Sequence, residues 1–185
     1  GKSSFLNKII GRNVLPTAVT PETSLAMELH YSTDERIEAV KAGGGIERFS
    51  VDHIGKIAED AEKYSYARLY LDNTQLRDLD PLVLVDMPGF DSPVDAHNKA
   101  IMEYLERGAH YIVLASVQEG IVSKSLGRRI REIRGLGRDF DFYLTKSDLL
   151  PPNQIEQLVS HFGEDLQENY EYTGEVTAIS QSSPD

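Results

Sequence analysis

Apolar residues follow two spacings along the chain, and these spacings predict strands that alternate with helices. Strands are predicted over residues 25–31, 68–71, 82–85, 111–117, 140–145 and 175–179. Helices, in which apolar residues recur every three or four positions, are predicted over residues 3–10, 51–61, 100–105, 126–133 and 155–166. The glycines 43–45 separate two further apolar runs, which predicts either a hairpin or a loose excursion.

Local residues at the helix ends support these boundaries. Gly11 follows the first helix and is a natural C-terminal stop. Ser50 precedes the second helix as a plausible N-cap. Asn153 and Glu156 have the spacing of a capping box at the start of the last helix.

Alternating strands and helices indicate βαβ units, a mostly parallel sheet and helices on both of its faces, which is a three-layer α/β fold. No repeat or linker divides the 185 residues, so one domain is expected. Ligands bind such sheets at the carboxyl ends of the strands. Asp86 and Thr145 each follow a predicted strand, and Lys2 and Ser3 begin a predicted helix, so we expect these residues to converge at one edge.

Composition narrows the range of functions. The formal net charge of −11 argues against non-specific binding of nucleic acid or of an anionic membrane by this segment. The one dense basic run, residues 128–134, contains apolar residues at helical spacing and is interpreted as a solvated helix face. The absence of cysteine excludes disulfides and thiolate metal sites, and no apolar run has the roughly 20 residues of a membrane span.

The chain opens with Gly1-Lys2-Ser3-Ser4, which matches the second half of the phosphate-loop pattern G-x-x-x-x-G-K-[ST]. Backbone N–H groups and the dipole at a helix N-terminus favour a bound phosphate. Lys2 would then reach the β- and γ-phosphates, and the Ser3 hydroxyl would ligate the Mg²⁺ that bridges them. Read alone, the four residues fit an ordinary polar helix start better.

A second motif, Asp86-Met87-Pro88-Gly89, follows an apolar strand. A carboxylate at the end of such a strand is costly unless it meets a cation, and Asp86 would meet one by holding magnesium directly or through water. Gly89, which has no side chain, would let its amide approach the γ-phosphate closely. A strand end followed by a Pro-Gly turn is an equally good reading of the motif by itself.

The third motif, Thr145-Lys146-Ser147-Asp148, would supply base specificity. The Asp148 carboxylate can accept hydrogen bonds from both N1–H and the exocyclic amine of guanine, and adenine offers no such pair of donors. The stem of Lys146 can cover the flat base. A polar loop after a strand is the alternative, but three motifs in this order favour a purine-nucleotide site.

Two of these segments carry a family resemblance. Thr145 stands where small GTPases usually have asparagine, and dynamins resemble this chain in having threonine there. Residues 15–23 (LPTAVTPET) resemble the Leu-Pro segment that leads to the switch threonine of dynamins and mitofusins. The chain therefore resembles the GTPase domain of the dynamin superfamily, most of all bacterial dynamin-like proteins. The resemblance runs from residue 1 to about 180 and implies a dynamin-type P-loop GTPase fold over residues 1–185, here without its N-terminal strand and half of its phosphate loop.

The resemblance also implies roles for particular residues. Thr23 would bind magnesium and position the attacking water, so Lys2, Thr23 and Gly89 are the catalytic candidates and Ser3, Thr23 and Asp86 the metal ligands. Ser180 would lie beside the base as a weak fifth motif, unless it is an ordinary serine at a strand end. Phe90 stands where many small GTPases carry a water-orienting glutamine, so catalysis would depend on other groups.

For the whole protein, the resemblance implies GTP and GDP as ligands and a homodimer formed through the GTPase domain. It implies a cytoplasmic protein or one peripheral at a membrane, which it would contact through regions outside residues 1–185. Two alternatives remain: an assembly switch that binds GTP but hydrolyses little of it, and a septin- or translation-type GTPase. We also expect residues 1–185 to fold poorly and to lack turnover without the missing strand.

Overall fold

The computed structural model describes residues 1–17, 25–87 and 110–180. The chain forms two compact units, Gly1–Tyr104 and Leu105–Asp185. The first unit has the helices α1 (Lys2–Ile10), α2 (Ile54–Glu59) and α3 (Thr74–Leu79), and the strands β1 (Met27–Tyr31), β2 (Arg36–Lys41), β3 (Ile46–Phe49), β4 (Tyr64–Leu71) and β5 (Leu84–Asp86). The predicted helix over residues 100–105 lies outside the described residues.

The five strands of the first unit form one sheet in the order β3-β2-β4-β1-β5. Only β1 and β4 pair in parallel, whereas β1–β5, β2–β3 and β2–β4 are antiparallel. The glycine-rich turn after Lys41 closes a hairpin, because four residues allow only an antiparallel return. This sheet is therefore mixed rather than mostly parallel. The apolar spacing marks strands but does not fix the direction of their partners.

The core of the first unit lies on one face of this sheet. Leu29, Leu69 and Leu71 are fully buried there, and they pack in one apolar cluster with Ile10 from α1 and Leu76 from α3. Gly11 ends α1 in the left-handed conformation at φ 65°, as the sequence predicts. The C-terminal end of the helix is thereby fixed above the sheet core.

The second unit contains β6 (Tyr111–Ser116), α4 (Lys124–Gly135), β7 (Phe140–Thr145), α5 (Pro152–Tyr170) and β8 (Val176–Ala178). Its strands pair in parallel in the order β6-β7-β8, which confirms the predicted βαβ units. The centre of the unit is apolar, and Phe142 of β7 packs against Phe162 of α5 at a ring distance of 5.8 Å. The carboxyl ends of the three strands lie at one edge, because parallel strands share a direction.

Three local predictions are wrong. Ser50 makes no capping hydrogen bond, and the predicted long helix is two short 3₁₀ turns on either side of α2. The capping box at Asn153 is absent because Pro151 and Pro152 set the start of α5. The basic run is not a fully solvated face, since Arg129 is only 3% exposed and pairs with Glu132 at 2.6 Å.

One element was not predicted. Helix α3 separates β4 from β5, and its first turn is capped by Asn73, whose side chain accepts a hydrogen bond from Leu76 N at 3.1 Å. The helix is only six residues long, so it carries too few apolar positions to show helical spacing.

Candidate functional site

In the first unit, the candidate phosphate-binding residues lie at the start of α1. Gly1 precedes the helix, and Lys2, Ser3 and Ser4 form its first turn. Backbone N–H groups in a first helical turn have no acceptor within the helix, so they are available to anions. Lys2 adds a formal positive charge to this end of the helix.

Asp86 ends β5 next to this helix start. The Ser3 side chain hydrogen-bonds to the Asp86 carboxylate, so the second residue of α1 and the last residue of β5 are in direct contact. Across the sheet, Asp86 is paired with Met27 of β1. The first unit therefore brings together the serine of the first motif and the aspartate of the second.

The carboxylate of Asp86 is incompletely satisfied. Its Oδ1 atom is buried and has no hydrogen-bond partner among the residues that the structure describes. Burial raises the pKa of Asp86 above its ordinary value, and the Ser3 hydrogen bond and the charge of Lys2 oppose that rise. Buried carboxylate oxygens normally have a partner. A hydroxyl oxygen beside an unpartnered carboxylate oxygen is a donor set that suits a hard divalent cation such as Mg²⁺.

In the second unit, the candidate base-binding residues lie at the carboxyl ends of β6, β7 and β8. Thr145 Oγ1 donates to Ala115 O at 3.0 Å, and Thr145 O accepts from Val117 N at 3.1 Å. Ser147 N donates to Ile179 O at 3.2 Å, which places the loop after β7 beside the residue that precedes Ser180. These bonds hold the loop of residues 145–148 and the segment before Ser180 at one edge of the sheet.

Lys146 and Asp148 occupy the turn at this edge. Lys146 has a left-handed backbone, with φ 63° and ψ 36°, a conformation that non-glycine residues seldom adopt away from functional turns. Its Nζ donates to Gln118 Oε1 at 2.9 Å. Asp148 lies in the 3₁₀ turn that follows, with its side chain exposed. Asp148 is thus a solvent-exposed residue at the same strand edge.

The remaining predicted residues, Thr23 and Gly89, lie outside the described residues. Sequence reasoning missed two polar residues near the motifs: Asn7, which binds the backbone of residues 14 and 15, and Gln118, which binds Lys146. Asn7 is a buried polar residue on the core side of α1, and asparagine inside a helix is itself unusual. Gln118 follows the carboxyl end of β6, which is the neighbour of β7. Ligands bind at such strand ends, so the order of the strands is the signal that could have identified Gln118.

The first unit has a helix start in contact with a strand-ending aspartate, and the second unit has a Thr-Lys-Ser-Asp loop after a strand. Both features are typical of GTPase domains of the P-loop class. Comparison with protein families makes this more specific. The model of the dynamin family matches residues 1–146, and the chain belongs to the dynamin family. It is a dynamin-type GTPase domain, as its sequence motifs suggest.

Individual relatives agree with this assignment. An uncharacterized protein in the xynA 3′ region of Caldicellulosiruptor sp. (strain Rt8B.4) is 25% identical over 171 residues, which are 86% of this chain and 40% of that protein. The fold is similar to a solved oligomerised bacterial dynamin pair described as sensing and tethering membranes, with a TM-score of 0.69, 16% identity and coverage of 100% of this chain and 29% of that one.

A second fold neighbour is Era in complex with MgGDPNP and nucleotides 1506–1542 of 16S ribosomal RNA. The TM-score is 0.55 at 17% identity, and the match covers 98% of this chain and 47% of Era. At these identities the structures show a shared fold. The chain spans less than half the length of each of these relatives.

Proposed function

We propose that this domain binds GTP with magnesium and hydrolyses its β–γ phosphoanhydride bond. The observation that carries the proposal is the contact of Ser3 with Asp86 at the start of α1, together with the buried Asp86 Oδ1 that no described residue satisfies. A cation held there would lie beside the helix end that favours phosphate. The family assignment supports the same reaction.

Each residue has a distinct role in this proposal. Ser3 and Asp86 would hold magnesium, Asp86 directly or through water, with Thr23 as a further ligand. When bound, the metal supplies positive charge to the β- and γ-phosphate oxygens. Lys2 and the first-turn amides, together with Gly89, would stabilise the charge that develops as water attacks the γ-phosphorus and the bond to the bridging oxygen breaks.

The base would be read in the second unit. Asp148 would accept from N1–H and the exocyclic amine of guanine, with Lys146 across the ring face and Thr145 and Ser180 supporting the loop.

Replacing Asp148 by asparagine would exchange a double acceptor for a group that also donates. Preference should then move from GTP towards xanthosine triphosphate, whose 2-oxo group needs a donor.

Single-turnover hydrolysis by the full-length protein tests the reaction. Lys2→Ala and Asp86→Asn should each lower the rate at least about 100-fold, because each removes charge stabilisation from the transition state. Lys8→Ala, which removes an exposed lysine from the same helix, should stay within about twofold of the wild type. Tight GTP binding without cleavage above the Lys2→Ala level would instead identify an assembly switch.

We also propose that GTP drives dimerisation through this domain, and that the protein is cytoplasmic and acts peripherally at a membrane. The oligomerised bacterial dynamin pair with the same fold supports this extension. Sedimentation of the full-length protein with GDP or a non-hydrolysable GTP analogue, with and without vesicles, tests it. A protein that stays monomeric and unbound in every condition would contradict this extension.

A further inference from the structure

We propose that Gln118 is a positioning residue for the nucleotide base, acting through Lys146. The inference rests on the proposed function, since it concerns how the base side of the same site is built. Gln118 Oε1 accepts a hydrogen bond from Lys146 Nζ at 2.9 Å. Gln118 lies outside the three nucleotide motifs, so the motifs give it no role.

The loop that carries Gln118 is held by its own hydrogen bonds. Glu119 N donates to Ser116 O at 2.9 Å, and Gln118 N donates to Ser116 Oγ at 3.2 Å. Ser116 N in turn donates to Glu119 Oε1 at 3.4 Å. Gly120 then continues the chain at φ 68°, a conformation that favours glycine. The position of the Gln118 backbone is therefore set before any ligand binds.

The backbone of Lys146 is fixed from the other side. Its carbonyl accepts from Leu149 N at 3.1 Å, and the next residue, Ser147, donates to Ile179 O at 3.2 Å. Strands β6 and β7 are adjacent, with Ser116 paired to Thr145, so Lys146 and Gln118 extend from neighbouring strand ends. The Lys146 stem is thus held at its backbone end by the turn and at its ammonium end by Gln118.

Holding both ends matters because a free lysine side chain samples many rotamers. A stem fixed at two points offers a preformed apolar surface to a flat ring, and the entropy of ordering it is not lost on binding. A neutral amide acceptor also leaves the ammonium its full charge and two further N–H donors. This arrangement covers the face of the base, whereas Asp148 would read its edge.

Calorimetric titration of the full-length protein with GDP and with IDP tests the inference. Gln118→Ala should weaken binding of both nucleotides by about fivefold, because the Lys146 side chain must then be ordered when the nucleotide binds. The loss should be equal for the two, because they share the ring face and differ only in the 2-amino group. Gln118→Glu, which keeps an acceptor for Lys146, should stay within about twofold of the wild type.

Two further variants isolate the contact itself. Lys146→Met keeps the apolar stem but cannot donate to Gln118, so adding Gln118→Ala to it should change affinity by less than about twofold. Gln157→Ala, an exposed glutamine on α5, is the matched control and should have no effect. Single-turnover cleavage at saturating GTP should be unchanged in Gln118→Ala, since Lys2, Ser3 and Asp86 are intact.

The outcomes separate this inference from the proposed function. A wild-type protein that binds neither GDP nor GTP would overturn the proposed function and this inference with it. Wild-type binding that Gln118→Ala leaves unchanged would overturn the inference alone. So would an equal loss from Gln118→Ala in the wild-type and Lys146→Met backgrounds, because Gln118 would then act by another route.

Discussion

Asn7 connects the phosphate helix to the segment that follows it. Its Oδ1 accepts from Val14 N at 3.2 Å and from Leu15 N at 2.9 Å, and its Nδ2 donates to Leu15 O at 2.9 Å. The side chain is 4% exposed, so these backbone groups have little access to water as a substitute. A single amide thus sets where the Leu15-Pro16 segment leaves α1.

Replacing Asn7 by alanine should destabilise the protein by about 2–3 kcal/mol, because buried backbone groups would lose their partners. Hydrogen exchange should also rise locally in peptides that contain Val14 and Leu15. Urea denaturation followed by circular dichroism measures the first effect, and mass spectrometry of deuterium uptake measures the second.

Asn153→Ala is the matched control, since it makes the same substitution at an exposed helical residue. Its effect should stay within about 0.5 kcal/mol. Equal losses in the two variants would show that the Asn7 contacts add nothing to stability.

Gly174 occupies a position with no room for a side chain. A Cβ there would lie 2.5 Å from Tyr172 Oη and 2.6 Å from Tyr172 Cζ. The tyrosine cannot easily move, because its Oη accepts from Phe142 N at 3.2 Å and donates to Glu175 O at 3.0 Å. Its ring also stacks on Phe140 at 4.7 Å.

Gly174→Ala should therefore cost about 1–3 kcal/mol of unfolding free energy. Gly163→Ala, inside α5 with open space around its Cβ, should instead stabilise by up to about 1 kcal/mol. Both variants restrict the unfolded chain alike, so the difference between their denaturation midpoints reports the steric clash. Similar midpoints would contradict the packing described for Tyr172.

Among the elements, the sheet of the first unit has a charged ladder across the face opposite its core. Register places Arg48, Glu38, Arg68 and Glu28 side by side on four neighbouring strands. Arg48 Nε lies 3.2 Å from Glu38 Oε1, and Arg68 Nε lies 3.2 Å from Glu28 Oε2. Opposite charges directly across strands stabilise the pairing of those strands.

Glu38 should make this sheet sensitive to acid. The hydrogen bond from Arg36 lowers the pKa of Glu38 below its ordinary value, and the charges of Arg36, Arg48 and Arg68 add to this although burial opposes it. A lowered folded-state pKa gives stability that is present above the unfolded value, about 4.3 for glutamate, and lost as pH falls through the folded value.

Glu38→Gln should lower stability at pH 7 by about 2 kcal/mol, since it removes a buried charged acceptor. As pH falls below about 4.3 the gap between variant and wild type should narrow, because the unfolded carboxylate takes up a proton while the folded one is still ionised. Thermal unfolding measured from pH 7 to pH 3 checks this. The exposed Glu168→Gln should follow the wild type throughout, and a constant gap for Glu38→Gln would rule out the titration.

Most elements follow from the sequence because each depends on a few neighbouring residues. Apolar spacing predicted α1, α4, α5, β1 and the strands β4 to β8, and it gave the β2–β3 hairpin as one of two alternatives. The dynamin resemblance is confirmed by the family match. The caps failed where proline or a 3₁₀ turn set the boundary instead. Strand β4 begins at Tyr64, four residues before its predicted start, because cross-strand pairing rather than local pattern extends it.

For the whole molecule, the net negative charge disfavours contact of this domain with anionic surfaces. The chain carries 30 acidic and 19 basic residues, which gives the net −11. Among the described residues, no helix is long and apolar enough to cross a bilayer. Like charge repels the anionic headgroups of a membrane surface, so the proposed membrane contact should not involve residues 1–185.

Hydrogen exchange of the full-length protein in GDP, with and without phosphatidylserine vesicles, tests this expectation. Vesicle-dependent protection should fall in peptides outside residues 1–185, because GDP avoids the proposed GTP-driven dimerisation. Neutral phosphatidylcholine vesicles are the control for non-specific adsorption. Protection within residues 1–185 that needs the anionic lipid would show that the domain binds the membrane despite its charge.

The order of residues alone identified the α/β class, the three nucleotide motifs and the dynamin family, since these depend on local spacing and short patterns. The contact of Ser3 with Asp86, the orphaned Asp86 Oδ1 and the bond from Lys146 to Gln118 came from the fold. The two contacts join residues at least 28 positions apart, and which strand ends become neighbours is set by long-range packing. Apolar periodicity does not encode that order, so those contacts required the three-dimensional structure.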